Sequence, residues 1–436
     1  PEDRGFHNLV VPYRGHLVMP WAPEWGLGGM SFFGFDDPCA PEKVADAYDE
    51  TMREPHSIGW AMLPAPHPQA GEYAFVAQKN GLLVWDVTSL DDLHVAGRLD
   101  IPGVFWPDAY THVVLHVFVQ FPYIFLGTSD NGVYVVDASD PTQPVLLTQH
   151  GFDPVLRTAG VFALGQRLFV SGSKIDRAAA LEISDPANPQ PWLGSPFALT
   201  DADGGVLEGY HANLTGDWLI LSRKNEGGGP AFIDVSDPAA PRHVGEHRDV
   251  DGSGGYVYYH EGFVFQGETH HGNVYDARDL ANITQLGRVS ITGDNDTLVP
   301  FGNVAVLAVD DGGVAPDFSV VFPWQAEPDR RPPRLLRTDP VDGATAVTTR
   351  ARIGFSFDEM LEPSSFFMGS VRLWDEQGRG VPGYVSVQEG IAHYTPQSPL
   401  SPGTTYTVEL LAGGVSDPSG TALEEPIQLQ FTTAQP

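Results

Sequence analysis

A phrase ending in Asp-Pro-x-x-Pro recurs along the first three quarters of the chain. Its clearest copies begin at Val136, Leu181 and Ile233, and each places an Asp in front of the first Pro. That Asp, or its equivalent in weaker copies, stands at positions 37, 89, 140, 185, 237 and 279, so the spacing lies between 42 and 52 residues. A repeat of about 40–50 residues is typical of four-stranded units arranged as the blades of a ring.

One unit shows how such a repeat folds. Residues 123–126 and 133–136 are apolar runs, and Asn131-Gly132 between them is a strong hairpin signal. The Asp-Pro pair ends the following strand, because Pro donates no backbone hydrogen bond and Asp caps the turn. A single meander cannot bury both of its faces, and radial packing of several meanders removes that problem. We therefore predict an all-β fold in which residues 1–331 form a seven-bladed β-propeller, with six or eight blades as alternatives.

The repeated phrase resembles the LVIVD-repeat family of bacterial β-propellers. The resemblance covers about residues 5–330 and is strongest in the third and fifth units. It implies the propeller fold. It implies little about activity, because members of the family are largely surface or exported proteins of unknown function.

The sequence pattern changes after residue 331, where the Asp-Pro-x-x-Pro repeat ends. Short alternating runs and frequent turn signals over residues 332–436 predict a separate β-sandwich. Asp339-Pro-Val-Asp-Gly-Ala344, Leu400-Ser-Pro-Gly-Thr-Thr-Tyr406 and Phe431-Thr-Thr433 resemble the landmarks of the bacterial Ig-like domain of surface-layer proteins. That resemblance implies an attachment or spacer module.

Charge and hydropathy restrict the partners. The chain carries 24 basic and 56 acidic residues, a net charge of −32, which opposes binding to nucleic acid. No apolar run is long enough to span a membrane. The sequence begins at Pro1, so we expect a removed leader and a secreted, periplasmic or cell-surface location in a bacterium. An unknown small molecule, a glycan or a cell-surface protein remains as the partner.

Histidines stand where the innermost strands of several units are expected to begin. The chain has 15 His, and four of them occupy this position: His7, His56, His112 and His211, with His116 as a competitor of His112. Loops from all blades converge there, so neutral imidazoles from distant segments could bind Cu or Zn at the propeller axis. The alternative is that each ring hydrogen-bonds the backbone of a neighbouring blade.

Loops expected on the same face add further candidates. Glu268, His270, His271 and Arg157 are candidate catalytic groups, with Glu268 orienting one of the two imidazoles. Arg157, Lys174, Lys224 and Tyr256 are candidate ligand-binding residues, and only four Lys occur in the chain. A solvated hairpin tip and ordinary salt bridges are the corresponding structural interpretations. Asp-rich turns at 249–252, 294–296 and 310–313 could bind Ca²⁺.

Two function classes therefore remain open. The first is an exported or cell-surface binding protein that presents a ligand site on the propeller. The second is an exported metal-dependent enzyme, an oxidoreductase, lyase or hydrolase, that uses the imidazoles at the axis.

Overall fold

The computed structural model describes residues 9–22, 27–104, 112–309, 319–367 and 369–435. His7 and the Asp-rich turn at 310–313 therefore lie outside the described residues.

Consecutive strands between residues 11 and 323 pair into antiparallel sheets in the described part of the chain. The first two sheets contain β1 (Val11–Tyr13), β2 (His16–Trp21), β3 (Gly28–Gly34), β4 (Glu42–Asp49), and β5 (Pro55–Leu63), β6 (Gly71–Gln78), β7 (Gly81–Asp86), β8 (His94–Asp100), with a 3-10 turn at Leu90–Asp92. The third and fourth contain β9 (His116–Gln120), β10 (Tyr123–Gly127), β11 (Val133–Asp137), β12 (Val145–His150), and β13 (Thr158–Leu164), β14 (Arg167–Gly172), β15 (Arg177–Glu182), β16 (Gln190–Pro191), β17 (Phe197–Ala198). The remaining sheets contain β18 (Gly209–Thr215), β19 (Trp218–Arg223), β20 (Pro230–Asp234), β21 (Arg242–Glu246), then β22 (Val257–His260), β23 (Phe263–Gly267), β24 (Gly272–Asp276), β25 (Thr284–Val289), and finally β26 (Thr297–Phe301), β27 (Val304–Ala308), β28 (Ser319–Pro323).

The repeated phrase forms the turn after the third strand of a sheet. Asp137 accepts a hydrogen bond from the Ser139 backbone N–H at 2.8 Å, and Asp140 accepts one from the Thr142 N–H at 2.9 Å. Gly132, in the hairpin loop between β10 and β11, has a φ of +84°, which favours glycine. The local chemistry of the phrase thus caps the turns that the sequence predicts.

The sheets are arranged in a ring. The first strands β5, β9, β13, β18, β22 and β26 pack against one another in that order. The first and last sheets meet through Phe35 and Phe301, whose ring centroids are 5.6 Å apart. The all-β prediction with a propeller is confirmed, while the number of seven blades stays a prediction.

Residues 335–433 form two facing sheets. Their strands are β29 (Leu335–Asp339), β30 (Ala344–Val347), β31 (Ile353–Phe357), β32 (Val371–Asp375), β33 (Gly383–Gln388), β34 (Ile391–Pro396), β35 (Thr405–Leu410) and β36 (Ile427–Thr433), with one short helix, α1 (Pro363–Phe367). One sheet has the order β29-β31-β34-β33 and the other β30-β36-β35-β32. We call this part the Ig-like module.

The Ig-like module is joined to the propeller by a shared sheet. Strand β33 pairs antiparallel with β5, with Val387 opposite Trp60 and Val385 opposite Met62. The boundary at residue 331 and the role of the module as an attachment or spacer unit stay predictions. The two parts share a sheet because β33 leaves one edge of the sandwich unpaired, and β5 satisfies its backbone groups.

Polar groups of the Ig-like module bond to the inner strands and turns of several propeller sheets. Gln388 Nε2 donates to the Val117 carbonyl at 2.7 Å, and Ser356 Oγ accepts from the Gly216 N–H at 2.8 Å. Glu362 accepts from the Arg14 N–H at 2.6 Å, and the Asp358 carbonyl accepts from the Glu261 N–H at 2.7 Å. The module thus covers the face of the propeller on which the innermost strands end. The predicted site lies on the other face, where these strands begin.

Candidate functional site

We define the upper face as the side on which the innermost strands begin. Three imidazoles predicted from the sequence converge just inside it. His56, His116 and His211 line one internal cavity together with Tyr256 and Glu389. The cavity measures about 20 Å³, which is room for about one water molecule.

The third sheet places His116, rather than His112, in this cavity. Strand β9 begins at His116, which lies opposite Gly127 of β10, and His112 precedes the strand. His112 is not among the residues that line the cavity in the described part of the chain. The hairpin to β10 sets the strand register and places His116 in the cavity, while metal binding by either histidine stays a prediction.

Burial keeps two of these imidazoles neutral. It lowers the pKa of His116 to about 3. Burial also lowers the pKa of His211, and the neighbouring His116 and His56 lower it further. The ring of His211 stacks on Tyr256 at 3.8 Å, and the Tyr256 hydroxyl donates to the His56 carbonyl at 2.9 Å. Tyr256 is therefore a wall of the cavity beneath the upper face.

His56 belongs to a buried charged group. Its Nδ1 lies 2.9 Å from the Val114 carbonyl, and its Nε2 lies 3.1 Å from Glu54 Oε1. Lys79 Nζ lies 2.6 Å from the other oxygen of Glu54. Burial alone would raise the pKa of Glu54, but His56 and Lys79 lower it to about 2. The bond to Val114 is the kind of contact to a neighbouring blade that the structural interpretation expects.

A second group of predicted residues lies on the rim of the upper face. The Nζ atoms of Lys224 and Lys174 lie 4.5 Å and 5.8 Å from the centre of the same ring, that of Tyr210. Burial lowers the pKa of Lys174, and the nearby Lys224 and Arg157 lower it further. Arg157 also bonds to Asp130 at 3.2 Å. The structure thus brings three of the scarce basic residues together.

The loop after β23 separates its three polar residues. Glu268 is fully buried and accepts hydrogen bonds from Tyr275, Gln266 and the Gly229 N–H, each at 2.9 Å. His271 is buried against Asp249 at 2.7 Å, and His270 is exposed. The backbone turns Glu268 inward, so Asp249 rather than Glu268 contacts His271, and the catalytic roles predicted for this loop stay predictions.

The Asp-rich turns use their carboxylates within the protein. Asp249 accepts bonds from Arg288 at 2.8 Å and from Asn273 at 2.6 Å, besides its contact with His271. Asp296 is buried and interacts electrostatically with Lys224 and Lys174. These basic neighbours compete with the Ca²⁺ that the two turns were expected to bind.

Sequence reasoning missed one component of the cavity. Glu389 enters it from the turn between β33 and β34, and Asn213 Nδ2 donates to its carboxylate at 2.5 Å. Burial raises the pKa of Glu389 to about 8. The polar pair Glu389-Gly390 between two apolar runs signals a hairpin tip, but no local pattern shows that this tip enters the propeller.

Comparisons with known proteins agree with both folds. Residues 70–97 and 116–150 match the LVIVD repeat, and residues 329–433 match the bacterial Ig-like domain. No protein of curated function is significantly similar to this sequence. In the described part of the chain, no helix combines the length and the hydropathy needed to cross a bilayer.

Solved structures show the propeller fold at low sequence identity. A proposed 6-phosphogluconolactonase of Bacteroides fragilis is 10% identical with a TM-score of 0.53, over 72% of this chain and 96% of that one. The β-propeller domain of Cps50 (Swd1) of Myceliophteria thermophila is 11% identical with a TM-score of 0.53, over 74% and 98% of the two chains. PorZ, a surface component of the type IX secretion system of Porphyromonas gingivalis, is 10% identical with a TM-score of 0.50, over 99% of this chain and 60% of its own.

Proposed function

We propose that this chain is an exported or cell-surface binding protein whose upper face binds an anionic small molecule or glycan. The observation that carries the proposal is the position of the lysines. Of the four in the chain, Lys43 pairs with Asp46 on an outer strand and Lys79 is buried beside Glu54. The other two, Lys174 and Lys224, share the ring of Tyr210 on the rim.

The electrostatics support an anionic ligand. A net charge of −32 repels anions from the surface as a whole, whereas this group of three basic side chains attracts them, even with Asp130 and Asp296 nearby. Burial, and then repulsion from Lys224 and Arg157, lowers the pKa of Lys174, and a bound carboxylate would relieve that repulsion. Tyr210 adds a half-buried ring on which a sugar could stack.

The second part of the chain supports a surface location. Residues 329–433 match the bacterial Ig-like domain, a module that suggests an extracellular or surface protein. PorZ, whose structure aligns with 99% of this chain, is described as a bacterial surface component. The proposal includes a leader peptide that directs export and is then removed.

The test uses polygalacturonate as an anionic glycan and dextran as a neutral one. We expect the full chain to bind polygalacturonate and not dextran in isothermal titration calorimetry, with affinity that falls as salt is added. Lys174→Ala and Lys224→Ala should each weaken binding by about 10- to 150-fold, since a charged hydrogen bond contributes about 1.5–3 kcal/mol.

Lys43→Ala is the matched control, because it removes an equal charge from an outer strand. Binding that is unchanged in Lys174→Ala and Lys224→Ala, or equal for both glycans, would show the proposal to be wrong.

A metal-dependent enzyme is the second candidate. It is favoured by the convergence of His56, His116 and His211 on one cavity. In this alternative, Cu or Zn bound by those imidazoles would supply the chemistry, and metal content would fall in His56→Ala and His211→Ala. Their ligand atoms do not form a group within 4.8 Å of one another in the described residues, which is why we place this function second.

A further inference from the structure

A group of ionisable side chains lies where the propeller meets the Ig-like module. His260 ends β22, Asp329 lies in the segment that joins the two parts, and Glu359 follows β31. The three side chains are 3%, 1% and 0% exposed. This group is separate from both the cavity at the axis and the rim of the upper face.

The spacing of these side chains is that of metal ligands. His260 Nε2 lies 3.3 Å from Asp329 Oδ2, and His260 Nδ1 lies 3.3 Å from Glu359 Oε2. One ligand atom from each residue lies within 4.8 Å of the other two, and no other group in the described residues meets this criterion. Candidate ligand atoms from three distant segments therefore lie close together.

Hydrogen bonding leaves the facing atoms unsatisfied. Neither carboxylate oxygen of Glu359 accepts a hydrogen bond, although the side chain is fully buried. Asp329 Oδ2 and His260 Nε2 also lack one. Burying a carboxylate without a donor costs several kcal/mol in general, so such groups are rare unless they bind an ion.

The charge balance around Glu359 is strongly negative. The carboxylates of Asp417, Asp329, Glu261 and Asp358 all interact electrostatically with Glu359. The two nearby guanidinium groups contact other carboxylates, Arg331 that of Glu261 and Arg334 that of Asp358. A divalent cation would neutralise charges that these guanidinium groups leave uncompensated.

We propose that His260, Asp329 and Glu359 bind a divalent transition-metal ion such as Zn²⁺, which clamps the propeller to the Ig-like module. One imidazole nitrogen with two carboxylate oxygens is a donor set that suits Zn²⁺, whereas Ca²⁺ prefers oxygen ligands alone. Glu261 is a candidate for a fourth ligand, because its Oε2 lies 3.8 Å from His260 Nε2. Because the ligands come from both parts of the chain, binding stabilises their association.

The test measures Zn²⁺ binding and thermal unfolding of the full chain after dialysis against EDTA. We expect about one equivalent of Zn²⁺ per chain and a melting temperature that rises with Zn²⁺ concentration. The same concentration of Ca²⁺ should give a much smaller shift. Glu359→Gln and Asp329→Asn should weaken Zn²⁺ binding at least about tenfold.

Glu359→Gln also separates metal binding from folding. Because neither carboxylate oxygen of Glu359 accepts a hydrogen bond, the neutral amide should leave the metal-free protein at least as stable as the wild type. His270→Ala removes an exposed imidazole outside this group and should keep the Zn²⁺ shift. No Zn²⁺ binding by the wild type, or wild-type affinity in both Glu359→Gln and Asp329→Asn, would overturn the proposal.

Discussion

Glu268 and Asp249 are buried carboxylates of the same part of the propeller, yet their surroundings shift their pKa values in opposite directions. Burial raises the pKa of Glu268 to about 8, against which the bonds from Tyr275 and Gly229 act only partly. For Asp249 burial also acts upward, but bonds from His271 and other donors outweigh it and lower the pKa. The number and charge of donors, rather than depth, decides the ionisation of each group.

At this scale we predict that Glu268→Gln stabilises the protein at neutral and higher pH. The folded state holds the Glu268 proton up to a pH of about 8, while the ordinary pKa is 4.5, so the wild type loses unfolding free energy as pH rises between these values. The variant lacks this loss. Its advantage in urea unfolding should grow with pH to the order of a few kcal/mol.

Glu42→Gln, at an exposed position of β4, controls for the general effect of removing a negative charge. A difference between Glu268→Gln and wild type that stays constant from pH 5 to pH 8 would contradict the prediction.

The pairing of β33 with β5 requires close approach between elements that are far apart in the chain. A Cβ at Gly59 of β5 would lie 2.3 Å from Gln388 Oε1 and 2.6 Å from Val119 Cγ2. A Cβ at Gly354 of β31 would lie 2.6 Å from the Gly165 backbone nitrogen. Both glycines are needed because a neighbouring element occupies the space of a side chain.

We therefore predict that Gly59→Ala and Gly354→Ala each destabilise the fold by about 1–3 kcal/mol, the usual cost of overpacking. Denaturant unfolding measures the change. Gly287→Ala in β25 is the matched control, because a Cβ there meets no atom within 4 Å. Equal unfolding free energies for all three variants would argue against the tight junction.

Elements were predictable from the sequence to different degrees. Asn131-Gly132 and the Asp-Pro phrases act locally, so the pattern predicts the meanders. It also indicates which histidines stand near the start of an innermost strand. It does not predict the start of β9, because its register depends on pairing with β10. Residues at the module junction, such as Gln388 and Glu359, meet their partners only through tertiary packing. The only local signal is the group of acidic residues in Phe357-Asp-Glu-Met-Leu-Glu362.

One hydrophobic cluster extends across both parts of the molecule. Trp60 and Val18 of the propeller belong to the same cluster of buried residues as Phe355 and Phe431 of the Ig-like module. Together with the shared sheet, this continuity makes the two parts energetically dependent on each other.

We predict that the full chain unfolds in one cooperative transition. Calorimetry should give a single peak, and a chain ending at residue 331 should melt at a lower temperature, since it exposes Trp60 and the inner-strand groups that Gln388 satisfies. Two resolved transitions, or an unchanged melting temperature after truncation, would show that the parts are independent.

The hairpin of β33 and β34 affects how a solute can reach the propeller axis. Its tip at Glu389 lies beside the imidazoles at the axis, on the side of the Ig-like module. In the described part of the chain, a solute that reaches these imidazoles would therefore approach from the upper face, and the loops of that face would select it.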